Sequence, residues 1–330
     1  MPSLSNVWTN FFPPTPTFTE RDIPDLAGKT YIVTGANSGI GKQVATLLYK
    51  KNAKVYVGAR SEAKAQQAIK EIKDLAPSST GSFVYFHLDL GDLNSVKAAA
   101  ETFLAQESSL HTLFNNAGTM VAPVEPPLKT VQGYELALGT NCVGTHLFTK
   151  LLLPTLVKTA KASLPHSVRI VWLSSYALEL SAHRDVGLST DNLDYHIPKD
   201  SEERYGLSKA GVWALGVEYA RRYKDDGIVS VPINPGNLTT ELARDQPFLI
   251  KFIAKLVCYP AVRGAITELY AAFSPEAAAA DVSKTLVGPF GRILPLREDL
   301  PKATLPESEG GTGGTSKFWE WCEEQIKGYL

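Results

Sequence analysis

The chain has 330 residues and a near-neutral charge, with 33 Lys and Arg residues against 34 Asp and Glu residues. This balance argues against a nucleic-acid partner, because nucleic-acid-binding proteins usually carry a basic stripe. The three cysteines, Cys142, Cys258 and Cys322, are far apart and lack metal-ligand spacing, so we expect reduced thiols in a cytoplasmic protein and no metal site.

Residues 1–25 are predicted to form an N-terminal arm, and the Pro-rich composition of about the first 20 suggests a flexible segment. The segment lacks the basic and apolar regions of a secretory signal. No apolar run in the chain reaches the roughly 18 residues that a membrane-spanning helix needs. We therefore expect no spanning segment.

Apolar runs alternate with helical patterns from residue 29 onward. The runs predicted to form or end strands are 30–34, 54–59, 83–88, 111–118, 168–175 and 227–236. Helical patterns separate them, including 61–75, a stretch around 96–106 and a long one ending near 159. Buried strands separated by helices predict a doubly wound parallel sheet covered on both faces. Because no composition break divides residues 26–295, we predict one α/β domain there.

A glycine-rich stretch, `TGANSGIG`, follows the first strand and opens the first helix. Glycines let the backbone approach a pyrophosphate, whose charge is favoured at a helix N-terminus. Many loops are rich in Gly and Ser without binding anything, but a preceding strand and a following helix favour a Rossmann-type dinucleotide site. The residues predicted to contact the cofactor here are Gly35, Asn37, Ser38, Gly39, Ile40 and Gly41.

The end of the second strand carries Arg60, at the point where an NAD site usually has an acidic residue for the ribose 2′-hydroxyl. An arginine can pair with a 2′-phosphate, which a carboxylate would repel. The sequence therefore favours NADP(H) as the cofactor. The alternative is that Arg60 is an ordinary surface arginine.

Further motifs follow in a fixed order: `LDL` at 88–90, `NNAG` at 115–118, `TNCVG` at 140–144, `VWLSS` at 171–175, `YGLSK` at 205–209 and `NPGNLTT` at 234–240. Together with `TGANSGIG` they resemble the short-chain dehydrogenase/reductase family, over nearly all of residues 26–287. The lead `FTERDIPDLAGK` at 18–29 resembles the fungal, retinol-dehydrogenase-like, NADP-using members.

The resemblance implies further cofactor contacts. Asp89 would accept a hydrogen bond from the adenine amino group, and Asn116 and Gly118 would lie beside the adenosine, with Asn116 also joining central strands. The backbone of Leu238 would contact the nicotinamide carboxamide, and Thr240 the carboxamide or a phosphate. An Asp after a strand is also a common turn residue, and `NPG` taken alone predicts only a turn.

The pattern Tyr-x-x-x-Lys occurs twice, as Tyr195 with Lys199 and as Tyr205 with Lys209. An ammonium group about 4 Å from a phenolate stabilises it by about 4 kcal/mol at an effective dielectric of about 20, so such a pair can move a proton. The pair must lie in a helix, because only there do positions i and i+4 share a face.

The residues around each pair distinguish them. Pro198 disfavours a helix before it, so Tyr195 and Lys199 are predicted to lie in a loop bordering the substrate pocket. The next segment has an N-cap residue at 200 or 201, two glutamates in its first turn and helical apolar spacing. Tyr205 is therefore the predicted acid/base and Lys209 its partner, and both would contact the cofactor.

The remaining catalytic residues come from the resemblance. Ser175 would hydrogen-bond the substrate oxygen, whereas Ser174 would not, and Asn141 would bind a water linking Lys209 to solvent. In the alternative, both serines cap the strand end and Asn141 is a buried structural residue. Because 30 positions separate Ser175 from the tyrosine, we interpret residues 176–200 as an inserted loop.

The segment of about 241–275 is predicted to form a substrate lid. Its apolar window at 248–260 would line the pocket, which suggests a hydrophobic substrate; the alternative is a peripheral membrane contact. Residues 296–330 should form a C-terminal arm, flexible at 309–315, and a helix with Phe318, Trp319, Cys322 and Ile326 on one face. That helix would pack on the body or act as a partner or lid element.

The sequence therefore predicts an NADP(H)-dependent oxidoreductase that acts as a carbonyl reductase on a hydrophobic small molecule. The rival from another class is a non-catalytic dinucleotide sensor or interaction protein on the same fold. A nucleotide-sugar epimerase normally has Gly-x-x-Gly-x-x-Gly spacing, which differs from the glycine loop here. A homo-oligomer is compatible with the sequence, which does not specify an oligomeric state.

Overall fold

The computed structural model describes residues 4–120, 123–238 and 258–330. Within them, one sheet is built from the strands β1 Thr30–Thr34, β2 Lys54–Ala59, β3 Ser82–His87, β4 Thr112–Asn115, β5 Val168–Leu173, β6 Ile228–Ile233, β7 Thr285–Gly288 and β8 Arg292–Pro295. The order across the sheet is β3-β2-β1-β4-β5-β6-β7-β8. Strands β1 to β7 pair in parallel, and β8 pairs antiparallel with β7. The predicted doubly wound α/β fold is confirmed.

Helices cover both faces of this sheet. They are α1 Leu4–Phe11, α2 Gly39–Lys50, α3 Glu62–Leu75, α4 Leu93–Leu104, α5 Thr145–Lys161, α6 Ala177–Ser181, α7 Ser201–Tyr223, α8 Ala261–Phe273, α9 Pro275–Ala279, α10 Leu300–Thr304 and α11 Gly314–Ile326. A π-helical stretch, Leu138–Gly144, precedes α5, and 3-10 turns lie at Glu20–Asp22, Glu307–Glu309 and Lys327–Tyr329.

Two apolar cores lie on the two faces of the sheet. One contains residues of α4, α5, α7 and α11, and the other contains residues of α2, α3 and α8. Side chains alternate between the faces of a strand. In β1, accordingly, Ile32 belongs to the first core and Tyr31 and Val33 to the second.

The helix that carries the predicted catalytic tyrosine begins as its sequence indicates. Asp200 is its N-cap, and the Asp200 side chain accepts a hydrogen bond of 2.7 Å from the Glu203 amide. Lys199 lies outside the helix and pairs with Glu203 at 2.7 Å. Local capping chemistry therefore sets the helical register of Tyr205 and Lys209.

Two segments predicted to be flexible arms are structured instead. Near the N-terminus, α1 buries Asn6 and Asn10, which hydrogen-bond to the body. In the second segment, a Cβ added to Gly311 would lie 2.2 Å from the Leu305 carbonyl oxygen, and one added to Gly314 would lie 2.1 Å from that of Val186. These two glycines thus allow close backbone packing.

The C-terminal helix α11 packs on the body through its predicted face: Phe318, Trp319, Cys322 and Ile326 are all buried. Near its end, Glu323 accepts hydrogen bonds of 2.9 Å from Lys150 and is 2.9 Å from His146 Nε2, both on α5. Near its start, Thr315 donates to the buried Glu218 of α7 at 2.7 Å. No helix in the described ranges is long and apolar enough to span a bilayer.

Candidate active site

A cleft of about 650 Å³ opens at the carboxyl ends of β1 to β4. This is where open parallel sheets bind ligands. Predicted cofactor residues in its wall are Gly35, Asn37, Ser38, Ile40, Arg60, Asp89, Asn116 and Gly118. The structure therefore brings residues from four separate loops to one site.

The glycine loop forms a concave backbone surface, a cradle, at positions where a larger side chain would not fit. A Cβ added to Gly41 would lie 2.5 Å from Asn116 Nδ2 and 2.7 Å from the Gly35 carbonyl oxygen. Gly35 and Gly39 have φ values of +70° and +54°, in the region that favours glycine. The Ser38 side chain makes no capping hydrogen bond at the start of α2, so it does not occupy the amides of the first turn. This cradle fits a pyrophosphate.

Asn116 connects the cleft to the middle of the sheet. Its Nδ2 donates to the Thr34 carbonyl oxygen at 2.7 Å, so it joins β4 to β1 as predicted. Its Oδ1 is buried and has no hydrogen-bond partner among the described residues. Buried polar atoms are normally paired, so this oxygen is suited to accept a hydrogen bond from a ligand or water.

The end of the cleft next to β2 and α3 carries positive charge. Arg60 is exposed, and it makes no hydrogen bond or ion pair with the described part of the chain. Lys64, which the sequence analysis did not single out, lines the same cleft from the first turns of α3. The sequence did offer a signal for Lys64, since it is a second basic residue only four positions after Arg60. Asp89 uses one carboxylate oxygen to accept from the Gly91 amide at 2.9 Å, so the turn interpretation also applies.

Tyr205 and Lys209 lie one turn apart on α7. The Lys209 Nζ is 5.6 Å from the centre of the Tyr205 ring and donates to the Leu173 carbonyl oxygen at 2.7 Å. Lys209 is buried, whereas Tyr205 is half-buried. The lysine is therefore held at the end of β5 by Leu173, which lines the cleft, whereas Lys209 and Tyr205 are not themselves in the cleft wall.

Asn141 lies in the π-helical stretch and links two parts of the site. It accepts from the Thr119 amide at 2.8 Å, and its Nδ2 donates to the Thr119 carbonyl oxygen at 3.1 Å and to Ser208 Oγ at 3.0 Å. Ser208 in turn donates to the Tyr205 carbonyl oxygen at 2.7 Å. A Cβ added to Gly118 would lie 3.1 Å from Asn141 Oδ1 and 3.3 Å from Lys209 Nζ, so these three residues meet.

The two serines after β5 have different surroundings. Ser174 is buried and donates to the Lys209 carbonyl oxygen at 2.7 Å, which is a structural contact. Ser175 Oγ accepts a hydrogen bond of 3.2 Å from the Ala177 amide. Because it acts there only as an acceptor, its hydroxyl proton is available to another group. This difference favours Ser175 over Ser174 as the substrate contact, and the assignment stays a prediction.

Tyr195 lies in a loop before α7, as predicted, whereas the placement of this loop at the border of the substrate pocket stays a prediction. Its ring belongs to the apolar core, and its hydroxyl is buried without a hydrogen-bond partner in the described part of the chain. Burial raises the pKa of Tyr195 far above its usual value near 10, which disfavours loss of its proton at neutral pH. The burial of this hydroxyl therefore favours Tyr205 over Tyr195 as the acid/base, an assignment that stays a prediction.

The loop predicted to contact nicotinamide is described only in part. Gly236 has a φ of +91°, and Leu238 forms a single parallel bridge with Tyr259. Thr240 and residues 241–257 of the predicted lid lie outside the described residues. The rest of the predicted lid contains α8, whose buried apolar residues belong to the second apolar core.

The other cavities formed by the described residues carry no comparable chemistry. A larger cavity of about 880 Å³ lies at the opposite end of the sheet, near the start of β5 and β6. The guanidinium of Arg169 in its wall already donates to the carbonyl oxygens of Ala271 and Ser274, both at 2.8 Å. Within the described residues, no cluster of three His, Cys, Asp or Glu side chains could hold a metal ion.

Comparison with known proteins gives the family. Residues 29–181 match the family model for short chain dehydrogenase. A short-chain dehydrogenase/reductase of Phomopsis amygdali is 53% identical over 99% of this chain and 98% of its own length. The chain is a short-chain dehydrogenase/reductase. The predicted family resemblance is confirmed.

Solved structures share this fold. A crystal structure of a putative uncharacterized protein from Mycobacterium Paratuberculosis is 28% identical, with a TM-score of 0.68 over 94% of this chain and 97% of the other. The RhlG/NADP active-site complex of Pseudomonas aeruginosa has the same fold, with a TM-score of 0.61 and 21% identity over 80% of this chain and 94% of the other. As a short-chain dehydrogenase/reductase the protein is an oxidoreductase that uses a nicotinamide dinucleotide, and the cleft fits one.

Proposed function

We propose that the protein is an NADP(H)-dependent carbonyl reductase that acts on a hydrophobic small molecule. The observation that carries this proposal is the pair on α7, where Lys209 is fixed 5.6 Å from the Tyr205 ring at the edge of the dinucleotide cleft. A buried ammonium group beside a half-buried phenol is suited to proton transfer to and from a substrate oxygen. A dinucleotide sensor would not need such a pair.

Each residue near this pair has a proposed role. A nicotinamide dinucleotide held in the cleft would supply the hydride for reduction. Tyr205 donates a proton to the carbonyl oxygen in reduction, and Lys209 stabilises the resulting phenolate. Ser175 donates a hydrogen bond to the same oxygen and orients it. Asn141 connects the loop after β4 to α7, and it would bind a water that connects Lys209 to solvent.

The cleft supports a division of cofactor contacts along its length. The cradle at residues 35–41 would hold the pyrophosphate. Asp89, Asn116 and Gly118 would meet the adenosine, and the orphaned Asn116 Oδ1 supports this assignment. Leu238 would meet the nicotinamide. Thr240 is proposed for the same end from the family motif.

The substrate class is inferred from the apolar groups near Ser175. Tyr176 follows it directly, and the Tyr176 ring meets the Phe11 ring edge-on at 5.9 Å between centroids. Aromatic side chains next to the proposed catalytic serine favour a hydrophobic carbonyl compound. Cells usually keep their NADP pool reduced, which supports reduction as the direction. The unpaired cysteines support a reducing, cytoplasmic compartment.

The purified protein is expected to oxidise NADPH in the presence of at least one member of a panel of aldehydes, ketones and polyketide-like carbonyls. The measurement is the loss of NADPH absorbance, with dinucleotide affinity measured separately by fluorescence. Tight NADPH binding without turnover on any panel member would favour the sensor. Absence of NADPH binding would overturn the proposed cofactor.

The Arg60→Ala variant is expected to lose about 10- to 100-fold in kcat/KM with NADPH and to change little with NADH, because only NADPH carries the 2′-phosphate. Steady-state rates with both cofactors provide the measurement. Arg184→Ala removes another exposed arginine, outside the cleft, and serves as the matched control. Equal effects of Arg60→Ala on both cofactors would contradict 2′-phosphate recognition.

A further inference from the structure

Helix α1 buries polar side chains and exposes apolar ones, which is the reverse of an ordinary surface helix. Its polar residues Asn6 and Asn10 are each only 4% exposed, whereas Leu4 is 89% and Trp8 65% exposed. Buried amides need hydrogen-bond partners, so this helix is attached to the body by specific polar contacts as well as by packing. The partners of the two asparagines therefore indicate what the helix does.

Asn6 attaches α1 to the side of the site that follows the catalytic serine. Its Nδ2 donates to Glu179 Oε2 at 3.2 Å and to the Pro295 carbonyl oxygen at 3.0 Å. Glu179 lies on α6, four residues after Ser175. The ring contact between Phe11 and Tyr176 lies on the same side.

Asn10 attaches α1 to the nicotinamide side. Asn234 Nδ2 donates to Asn10 Oδ1 at 2.6 Å, and both side chains are buried. The second carboxamide atom of Asn234, its Oδ1, accepts from the Gly236 amide at 3.0 Å. Because the planar carboxamide of Asn234 makes both bonds, Asn10 fixes the orientation of that carboxamide. The carboxamide in turn holds the turn at Gly236, where φ is +91°.

The two asparagines are hydrogen-bonded to each other, and a further hydrogen bond connects α1 to the segment that pairs with the 234–238 loop. Asn10 Nδ2 donates to the Asn6 carbonyl oxygen at 2.8 Å and to Asn6 Oδ1 at 3.0 Å. Tyr259, whose amide donates to the Asn237 carbonyl oxygen at 2.9 Å, directs its hydroxyl to the Phe11 carbonyl oxygen at 3.4 Å. Helix α1 thus bridges the serine side and the loop that leads to Leu238.

We propose that Asn10 is a positioning residue, which holds the 234–238 loop in the conformation that receives nicotinamide and couples that loop to the catalytic-serine segment through α1. The proposal rests on the proposed function, because Leu238 is the inferred nicotinamide contact. It adds a residue from the N-terminal segment, more than 220 positions from Asn234, to the framework of the reaction.

A first experiment needs neither cofactor nor substrate. In the full-length protein without ligand, Asn10→Ala is expected to speed hydrogen exchange at the Gly236 amide about tenfold. The reason is that the Asn234 carboxamide, which accepts the hydrogen bond from this amide, loses its own bond to Asn10. Thr9→Ala is the matched control, since the Thr9 hydroxyl donates to the Ser5 carbonyl oxygen within α1 and to no other group in the described part of the chain. Asn10→Asp keeps an acceptor for Asn234 and should retain most of the protection. Equal exchange in Asn10→Ala and Thr9→Ala would overturn the proposal.

A second experiment separates the two halves of the cofactor. Asn10→Ala should bind 2′-phospho-ADP-ribose, which lacks nicotinamide, with wild-type affinity, whereas kcat for a carbonyl identified on the panel falls about tenfold. If the wild type shows no turnover, the proposed function fails, and the exchange experiment still decides the role of Asn10. If Asn10→Ala does not fold, Asn10→Gln, which displaces the oxygen, is measured instead with the same expected increase in exchange. Faster exchange with unchanged kcat would contradict the positioning role.

Discussion

Tyr205→Phe is expected to lower kcat/KM for carbonyl reduction by about a thousandfold or more, while NADPH affinity stays within a few fold of the wild type. General acid catalysis contributes about 10²- to 10⁴-fold, and phenylalanine keeps the ring but has no proton to donate. The Lys209 side chain should stay in place because its anchor, the Leu173 carbonyl oxygen, is untouched. Steady-state rates and fluorescence titration with NADPH measure the two quantities.

Tyr195→Phe is the matched control, because it removes the hydroxyl of the other Tyr-x-x-x-Lys pattern. That hydroxyl is buried without a hydrogen-bond partner in the described part of the chain. Its removal should leave kcat unchanged and leave stability equal or slightly higher, since an unsatisfied buried polar group is lost. Activity that survives Tyr205→Phe but disappears in Tyr195→Phe would reverse the assignment.

Which of the two Tyr-x-x-x-Lys pairs lies in a helix could be predicted from the sequence because it depends on local chemistry. Pro198 and the cap at Asp200 lie within a few residues of the pairs, and they decide which pair is helical. The strands were equally readable, because buried parallel strands are continuous apolar runs. The predicted strand at 83–88, for instance, is observed as Ser82–His87.

Features that depend on distant contacts could not be read in this way. Helix α1 has only eight residues, and its buried asparagines are bonded to groups 173 to 289 positions away. Nothing nearby in the sequence distinguishes such asparagines from residues of a solvated arm. Glycine runs are similarly ambiguous, since Gly314 serves close packing against Val186 rather than flexibility.

Trp319→Ala is expected to lower the free energy of unfolding by about 3–5 kcal/mol, the usual loss for a large buried aromatic residue. The Trp319 ring lies 4.7 Å from the rings of both His146 and Tyr219, measured between centroids. The Lys150 ammonium and the Arg222 guanidinium also approach it, at 5.5 Å and 4.9 Å from the ring centre. These contacts join α11 to α5 and α7, so removal of the indole should loosen the whole C-terminal attachment. Urea unfolding followed by circular dichroism measures the change.

The matched control is Trp8→Ala, which removes an indole that is 65% exposed and should cost less than about 1 kcal/mol. Below the unfolding transition, kcat of Trp319→Ala should stay close to the wild-type value, because Trp319 lies away from the cleft wall. This combination identifies α11 as a structural element of the body. A small loss of stability with a large change in KM would instead identify α11 as a lid, the alternative left open by its sequence. The buried face of α11 and its bonds to Glu218 and Lys150 favour the first outcome.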